Sequence, residues 1–133
     1  IFDRIQNLTH IPQENAEKIQ LLKYEVGEFY VMHHDNDESW TTTMNGPRIL
    51  TVFMYLNDVE EGGETLFDHG DIRVKPQLGR VAIWPSVLDE TPSEIDFRTF
   101  HEALPTVKGQ KFAANVWYHL RSVEKADEMG CSE

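Results

Sequence analysis

The chain has 133 residues, enough for one domain, and its 40% hydrophobic, 26% charged and 11% aromatic content suits a packed core rather than a disordered segment. With 12 Lys+Arg against 23 Asp+Glu the formal charge is −11, so the chain lacks the basic footprint of a nucleic-acid partner. The longest apolar runs, residues 49–56 and 81–84, fall far short of the ~20 residues of a membrane span, and the lone Cys131 excludes an internal disulfide and a Cys-based metal site.

The chain opens on IFDRIQNLTH, which has no charged-then-apolar leader and reads as the middle of a longer or processed protein. Residues 1–18 read as helical: Phe2, Ile5 and Leu8 recur at helical spacing, and Pro12 stands near the start of a short second helix. From residue 19 the character turns to β. Strands are predicted over residues 19–24, 28–33, 49–56, 72–75, 79–84, 98–103 and 111–120, all rich in Val, Ile, Phe, Tyr and Trp. The turns between them include Asn45-Gly46-Pro47, Glu61-Gly62-Gly63, His69-Gly70-Asp71 and Lys108-Gly109-Gln110. Many short strands with few helices predict a mainly β sandwich or barrel of the jelly-roll type, with short N-terminal helices. Residues 35–45 and 85–97 are the longest non-strand stretches, and long loops at a barrel mouth often carry function. Beyond Arg121 the chain is polar, and residues 122–133 are expected to form a loose tail. The expected organisation is therefore one domain over residues 1–121, helical over 1–18 and β over 19–121.

The chemistry centres on His33-His34-Asp35. In an extended segment residues i and i+2 face the same way, so His33 and Asp35 can aim at one point while His34 turns away and is expected to be dispensable. His101, on a predicted strand, is the candidate third ligand. Two histidines and a carboxylate form a facial triad that leaves coordination positions open, the donor set of non-haem Fe(II) chemistry. Standing alone, the three could equally be unrelated polar residues at strand ends. Ten residues beyond His101 lies Lys111. On a regular strand Lys111, Ala113, Asn115 and Trp117 share one face, which reads as a cavity wall, and Phe112, Ala114, Val116 and Tyr118 share the other. A strand lysine is also a common edge gatekeeper.

Taken together, the ordered elements of the chain resemble the 2-oxoglutarate/Fe(II)-dependent dioxygenases, most closely the prolyl 4-hydroxylase group. The resemblance runs over residues 5–117. It is carried by Tyr24-Glu-Val-Gly-Glu-Phe-Tyr30-Val-Met-His33-His-Asp35, by Tyr55-Leu-Asn57 and by Glu61-Gly-Gly-Glu-Thr65-Leu-Phe67. Further carriers are Val74-Lys-Pro76, Gly79-Arg-Val-Ala82, His101-Glu-Ala-Leu-Pro105, Val107-Lys-Gly109-Gln-Lys111 and Asn115-Val-Trp117. The resemblance implies a double-stranded β-helix, shortened at its N-terminus, with His33, Asp35 and His101 as Fe(II) ligands. It further implies Lys111 as the anchor of the distal carboxylate of 2-oxoglutarate, with Thr65 and Tyr24 assisting. Trp117 would wall that pocket or simply fill the core. Tyr30 and Arg48 match family positions near the substrate. Tyr30 precedes His33 by three, so a regular strand would turn it away and its role requires a bulge.

The activity implied is hydroxylation of peptidyl proline at C4, with Fe(II) and O₂, 2-oxoglutarate as cosubstrate, ascorbate as reductant, and succinate and CO₂ as coproducts. Its partner would be a proline-containing peptide or protein. Lysine or a free amino acid as target stays open, as does a non-catalytic or zinc-binding jelly-roll module. Family habit places such enzymes in the endoplasmic reticulum or secretory pathway of eukaryotes and in the cytoplasm of bacteria. His10, His69, His119 and Cys131 are expected to be structural or exposed.

Overall fold

The β segments are rich in β-branched and aromatic residues, and residues 49–56 run almost continuously apolar, as suits a strand packed on both faces. The computed structural model describes residues 1–131 and contains ten strands: β1 (Gln20–Tyr24), β2 (Tyr30–His33), β3 (Arg48–Tyr55), β4 (Glu61–Gly62), β5 (Thr65–Phe67), β6 (Ile72–Val74), β7 (Val81–Pro85), β8 (His101–Ala103), β9 (Thr106–Lys108) and β10 (Lys111–His119). Their order is β1-β10-β3-β7 in one sheet and β2-β8-β5-β6 in the other, with β4 and β9 forming a separate pair. Every pairing is antiparallel. The chain passes repeatedly from one sheet to the other, as a jelly roll requires.

The apolar residues fall into two clusters. Phe53, Tyr55, Trp84 and Ala113 are buried with Leu22, Phe67, Val74 and Ala82 packed against them, so this cluster draws on both sheets. On the other face of the first sheet, Val52, Val116 and Tyr118 are covered by Ile5, Phe2 and Ile11. β10 thus divides as its alternation predicts, with Lys111, Ala113 and Asn115 buried on one side and Val116 and Tyr118 on the other.

The N-terminal region is less helical than expected. α1 (Phe2–Thr9) buries Ile5, but Leu8 is exposed. Steps of three fall short of the helical repeat, so by the third residue the side chain has rotated off the buried stripe. The helix ends on His10 in the left-handed region, with its N–H bonded to the Gln6 carbonyl. The expected second helix is a single 3-10 turn, Gln13–Asn15, after which Ala16 is extended and bridges to Tyr118. The expected loose tail instead starts with α2 (Val123–Glu128), capped by the Ser122 hydroxyl, which accepts from the Lys125 N–H. One small residue, Ala126, provides the buried contact, too weak a periodicity to read from sequence. The last two residues of that tail, 132 and 133, lie outside the described residues. No helix among the described residues is long and apolar enough to cross a membrane.

Two glycines set the geometry beside the site. Gly62 and Gly63 have φ of 78° and 73°. A Cβ on Gly62 would stand 2.7 Å from the Val107 nitrogen and closer still to the Pro105 oxygen. The left-handed conformation alone costs a non-glycine residue about 1–2 kcal/mol, and the backbone clash adds to it. Gly62→Ala is therefore expected to lower the melting temperature by several degrees, more than Gly79→Ala, where φ is also positive but the space is open. Equal melting temperatures for the two variants would show that the β4–β9 turn can shift to admit the methyl group.

Candidate metal centre and cosubstrate pocket

β2 and β8 are neighbours, and their register sets His33 opposite His101. The two rings lie 4.3 Å apart. Asp35 follows just past the end of β2, with Oδ1 3.7 Å from His33 Nε2 and Oδ2 3.7 Å from His101 Nε2. One donor atom from each of the three lies within 4.8 Å of the other two.

Each histidine is held in the form a metal needs. His33 Nδ1 donates to the Val31 carbonyl at 2.8 Å, and His101 Nδ1 donates to the Thr99 carbonyl at 2.9 Å. A carbonyl only accepts, so the proton sits on Nδ1 and leaves the Nε2 lone pair facing the centre. Burial pushes the His101 imidazole below its ordinary value, against the pull of Asp35, which favours the neutral ligand. Burial alone would raise the Asp35 carboxyl, but a hydrogen bond from His33 and the charge of His101, both in the acid form of these imidazoles, together with the Thr51 hydroxyl outweigh it and hold the group at about 2. Asp35 Oδ2 accepts from Thr51 Oγ1 at 2.6 Å and Trp84 Nε1 at 3.1 Å, which leaves Oδ1 available.

These residues border a cavity of about 260 Å³ that is also lined by Tyr24, Tyr30, Arg48, Phe53, Thr65, Asn115 and Trp117. The Lys111 Nζ lies over the rings of Tyr24 and Phe53, at 4.9 and 5.5 Å from their centroids. Lys111 is only 1% exposed, and its ammonium has no hydrogen-bond partner. Burial lowers it to about 8, with Glu64 opposing weakly. A buried cation without an anion is costly, and two of the rings it lies over line the cavity, so an anionic group such as a dicarboxylate chelating the metal would relieve that cost. A Cβ at Gly63 would touch Lys111 Cδ and Thr106 Oγ1 at ordinary contact distance, 3.4 Å each, so glycine is favoured here by its φ of 73° rather than by space. Thr65 is buried, its hydroxyl 2.7 Å from the Tyr55 hydroxyl. Burial raises the Tyr24 phenol, keeping it a donor.

The residues present fit an Fe(II) ion and 2-oxoglutarate, and comparison with known proteins gives the same family. The profile of the 2OG-Fe(II) oxygenase superfamily matches residues 19–119. This chain belongs to the 2OG-Fe(II) oxygenase superfamily. It is similar to probable prolyl 4-hydroxylase 8 of Arabidopsis thaliana, at 36% identity over 138 residues, covering 90% of this chain and 48% of the relative. Prolyl 4-hydroxylase subunit alpha-1 of Homo sapiens is 33% identical over 126 residues, covering 91% and 23%. Among solved structures, the viral collagen prolyl hydroxylase of Paramecium Bursaria Chlorella virus-1, in its 2OG complex, superposes with a TM-score of 0.73 at 31% identity, covering 89% of this chain and 72% of that one. The oxygenase chain spans about half the length of the plant relatives and less of the animal one.

The remaining predicted residues of the oxygenase site are placed as follows. The β2–β8 register shifts between Tyr30 and His33, the bulge that Tyr30 required, and its ring meets His33 edge-on at 4.3 Å. Arg48 lies beside the cavity but is heavily engaged. Its guanidinium lies against Trp40 and Trp117, at 4.4 and 3.9 Å from their centroids. It donates to both Glu17 oxygens, at 2.6 and 3.0 Å, and to the Asp35 carbonyl at 3.2 Å. His119, expected to be structural, is buried and bridges Glu17 and the Gly46 carbonyl. His10, His69 and Cys131 are exposed.

Sequence reasoning missed Thr51 and Trp84, which are direct cross-strand partners in β3 and β7 and both donate to Asp35. A threonine on the same strand face as Phe53 and Tyr55 was the available cue. Asn115 was read as part of the cavity wall without a role, and its Oδ1 is buried without a partner at the cavity.

Proposed function

We propose that this chain uses Fe(II) and 2-oxoglutarate to hydroxylate peptidyl proline at C4, releasing succinate and CO₂. The observation that carries the reading is the convergence of two Nε2 atoms and one carboxylate on a single point, beside the buried and unpartnered Lys111 ammonium. His33, Asp35 and His101 would hold the metal. Lys111 would pair with the distal carboxylate of 2-oxoglutarate, with Thr65 and Tyr24 offering hydroxyl donors and Trp117 closing one wall. When bound, the metal and cosubstrate supply the oxidising chemistry that no side chain can.

The chain's own residues orient the reactants and exclude water. Thr51 and Trp84 fix the Asp35 carboxylate so that one oxygen faces the centre. The aromatic rings of Phe53, Trp84 and Phe67 pack around the site and keep its dielectric low. Tyr30, half exposed beside His33, presents an apolar face that suits a pyrrolidine ring. An extended proline-rich peptide is the favoured substrate because polyproline II is preformed and loses little entropy on docking. Arg48 stabilises the wall under the substrate through its tryptophan stack and Glu17.

The direct test is incubation with Fe(II), 2-oxoglutarate, ascorbate and proline-rich peptides, read by mass spectrometry for a gain of one oxygen. Chromatography of the hydrolysed product against 3- and 4-hydroxyproline standards is expected to give the 4-isomer. Hydroxylysine, or oxidation of a free amino acid, would keep the chemistry and remove the peptidyl-proline assignment. 2-Oxoglutarate turnover that is independent of Fe(II) would remove both.

A further inference from the structure

The strand ladder places His33 against His101, but Asp35 lies past its end, where no cross-strand register holds the backbone. Arg48, Thr51 and Trp84 tie residues 35–36 to the first sheet, but the convergence of the donors also needs a tie from this turn to the segment at residues 96–101. His34 occupies that position. Its Nε2 is 3.1 Å from Thr99 Oγ1 and 3.3 Å from the Asp96 carbonyl, while its Nδ1 accepts from the Asn36 backbone N–H at 3.1 Å.

The proton directions are fixed by the partners. Asn36 can only donate through its N–H, so His34 Nδ1 is the acceptor and Nε2 carries the hydrogen. Thr99 Oγ1 gives its own proton to the Asp96 carbonyl at 2.9 Å, so it accepts from His34. The same Thr99 supplies the carbonyl that orients His101 Nδ1. The receiving segment is itself anchored, because the Asp96 carboxylate pairs with Arg98 and its N–H donates to the Ser86 carbonyl. His34 also packs against Phe100, with ring centroids 5.2 Å apart.

We propose that His34 is a positioning residue for the metal centre: it ties the His33–Asp35 turn to the Thr99–His101 segment, so that the three donors are arranged before an ion arrives. This reverses the expectation that His34, facing away from the metal, is dispensable. His34 borders the same cavity as the three donors but gives its Nε2 to Thr99 and Asp96, on the second ligand-bearing segment, rather than to the centre. The proposal rests on the metal-site reading above.

The test is a titration with Co(II), followed through its visible absorption, of wild type, Asp35→Ala, His34→Ala, His34→Gln and His34→Asn. Glutamine places an amide N–H where His34 Nε2 stands, whereas asparagine reaches only the Nδ1 position. Outer-shell partners of metal ligands typically contribute 10–100-fold in affinity. His34→Ala and His34→Asn are therefore expected to bind Co(II) about tenfold more weakly, with His34→Gln close to wild type. In turnover the half-saturation for Fe(II) should rise in the same order, while that for 2-oxoglutarate at saturating metal stays near wild type. A residue important only for folding would lower the melting temperature without separating these two constants or ranking glutamine above asparagine. Wild-type Co(II) affinity in His34→Ala alongside loss in Asp35→Ala would overturn the role of His34 and leave the metal site standing. Equal affinity in the Gln and Asn variants would overturn it too, even if His34→Ala does not fold. Wild-type affinity in Asp35→Ala would overturn the metal-site assignment and this inference with it.

Discussion

Asp35→Ala is expected to abolish Fe(II) binding and turnover together, and His101→Ala to do the same. Asp35 is the single anionic donor of the set and is 6% exposed, so water cannot easily take its place. Its removal also leaves Thr51 and Trp84 with buried, unpaired donors. Because losing a hydrogen-bond partner of a metal ligand already costs about 10–100-fold, removing a ligand should cost at least about two orders of magnitude in affinity. His33→Ala should follow, with the smaller effect among the three, since His33 is the most exposed ligand and a water can enter there. Equilibrium Fe(II) binding under anaerobic conditions, with turnover measured separately, checks this. Undiminished iron affinity in either the Asp35 or the His101 variant would show that the donors converge for another reason.

The second large effect belongs to Lys111. Lys111→Ala is expected to raise the 2-oxoglutarate half-saturation by two to three orders of magnitude, equivalent to roughly 3–4 kcal/mol, with little change in iron affinity. The reason is that the distal carboxylate would be left buried and unpaired. Lys111→Arg should rescue only in part, because a planar fork does not fit a space shaped around an ammonium between the Tyr24 and Phe53 rings. Thr65→Val should cost about 1 kcal/mol, one neutral hydrogen bond. A pH dependence accompanies this. The Lys111 ammonium, lowered by burial to about 8, loses its proton as pH rises through that value, so 2-oxoglutarate should bind more weakly above it. Stability runs the other way: between about pH 8 and the ordinary lysine value the unfolded chain holds the extra proton, so the ligand-free protein gains stability as pH rises, and Lys111→Ala loses that gain. Succinate release across a 2-oxoglutarate titration, repeated at several pH values, measures the first effect. A wild-type half-saturation in Lys111→Ala would return this residue to the role of a strand lysine.

Much of the site was legible because it depends on period-two geometry. Alternation pointed His33 and Asp35 the same way, although Asp35 lies in a bend past the end of β2 and is held by Thr51, Trp84 and Arg48, and the polar face of β10 was readable as a wall. Tyr30 was readable only conditionally, since a bulge leaves no mark in the sequence. Thr51 and Trp84 were not legible as partners of Asp35. Their roles depend on the β3–β7 register, a long-range fact, and a tryptophan in an apolar strand looks like core. The short strands β4, β5 and β9 escaped for a related reason. Glu61-Gly62-Gly63 has turn composition, and two or three residues give no periodicity to count. Arg48 shows the converse limit: its position was matched, but its engagement by Glu17, Trp40 and Trp117 is visible only when residues far apart in sequence are brought together.

The three tryptophans of the chain all fall at this one place: Trp84 bonds the Asp35 carboxylate, Trp117 lines the cavity, and Trp40, like Trp117, lies against the Arg48 guanidinium. The indole emission of the protein, excited where tyrosine does not absorb, therefore originates at the site. Two of the fluorophores share a guanidinium and the third shares an oxygen-bearing ligand group, so occupancy of the pocket and order in its walls are written into a single optical signal that needs no added label.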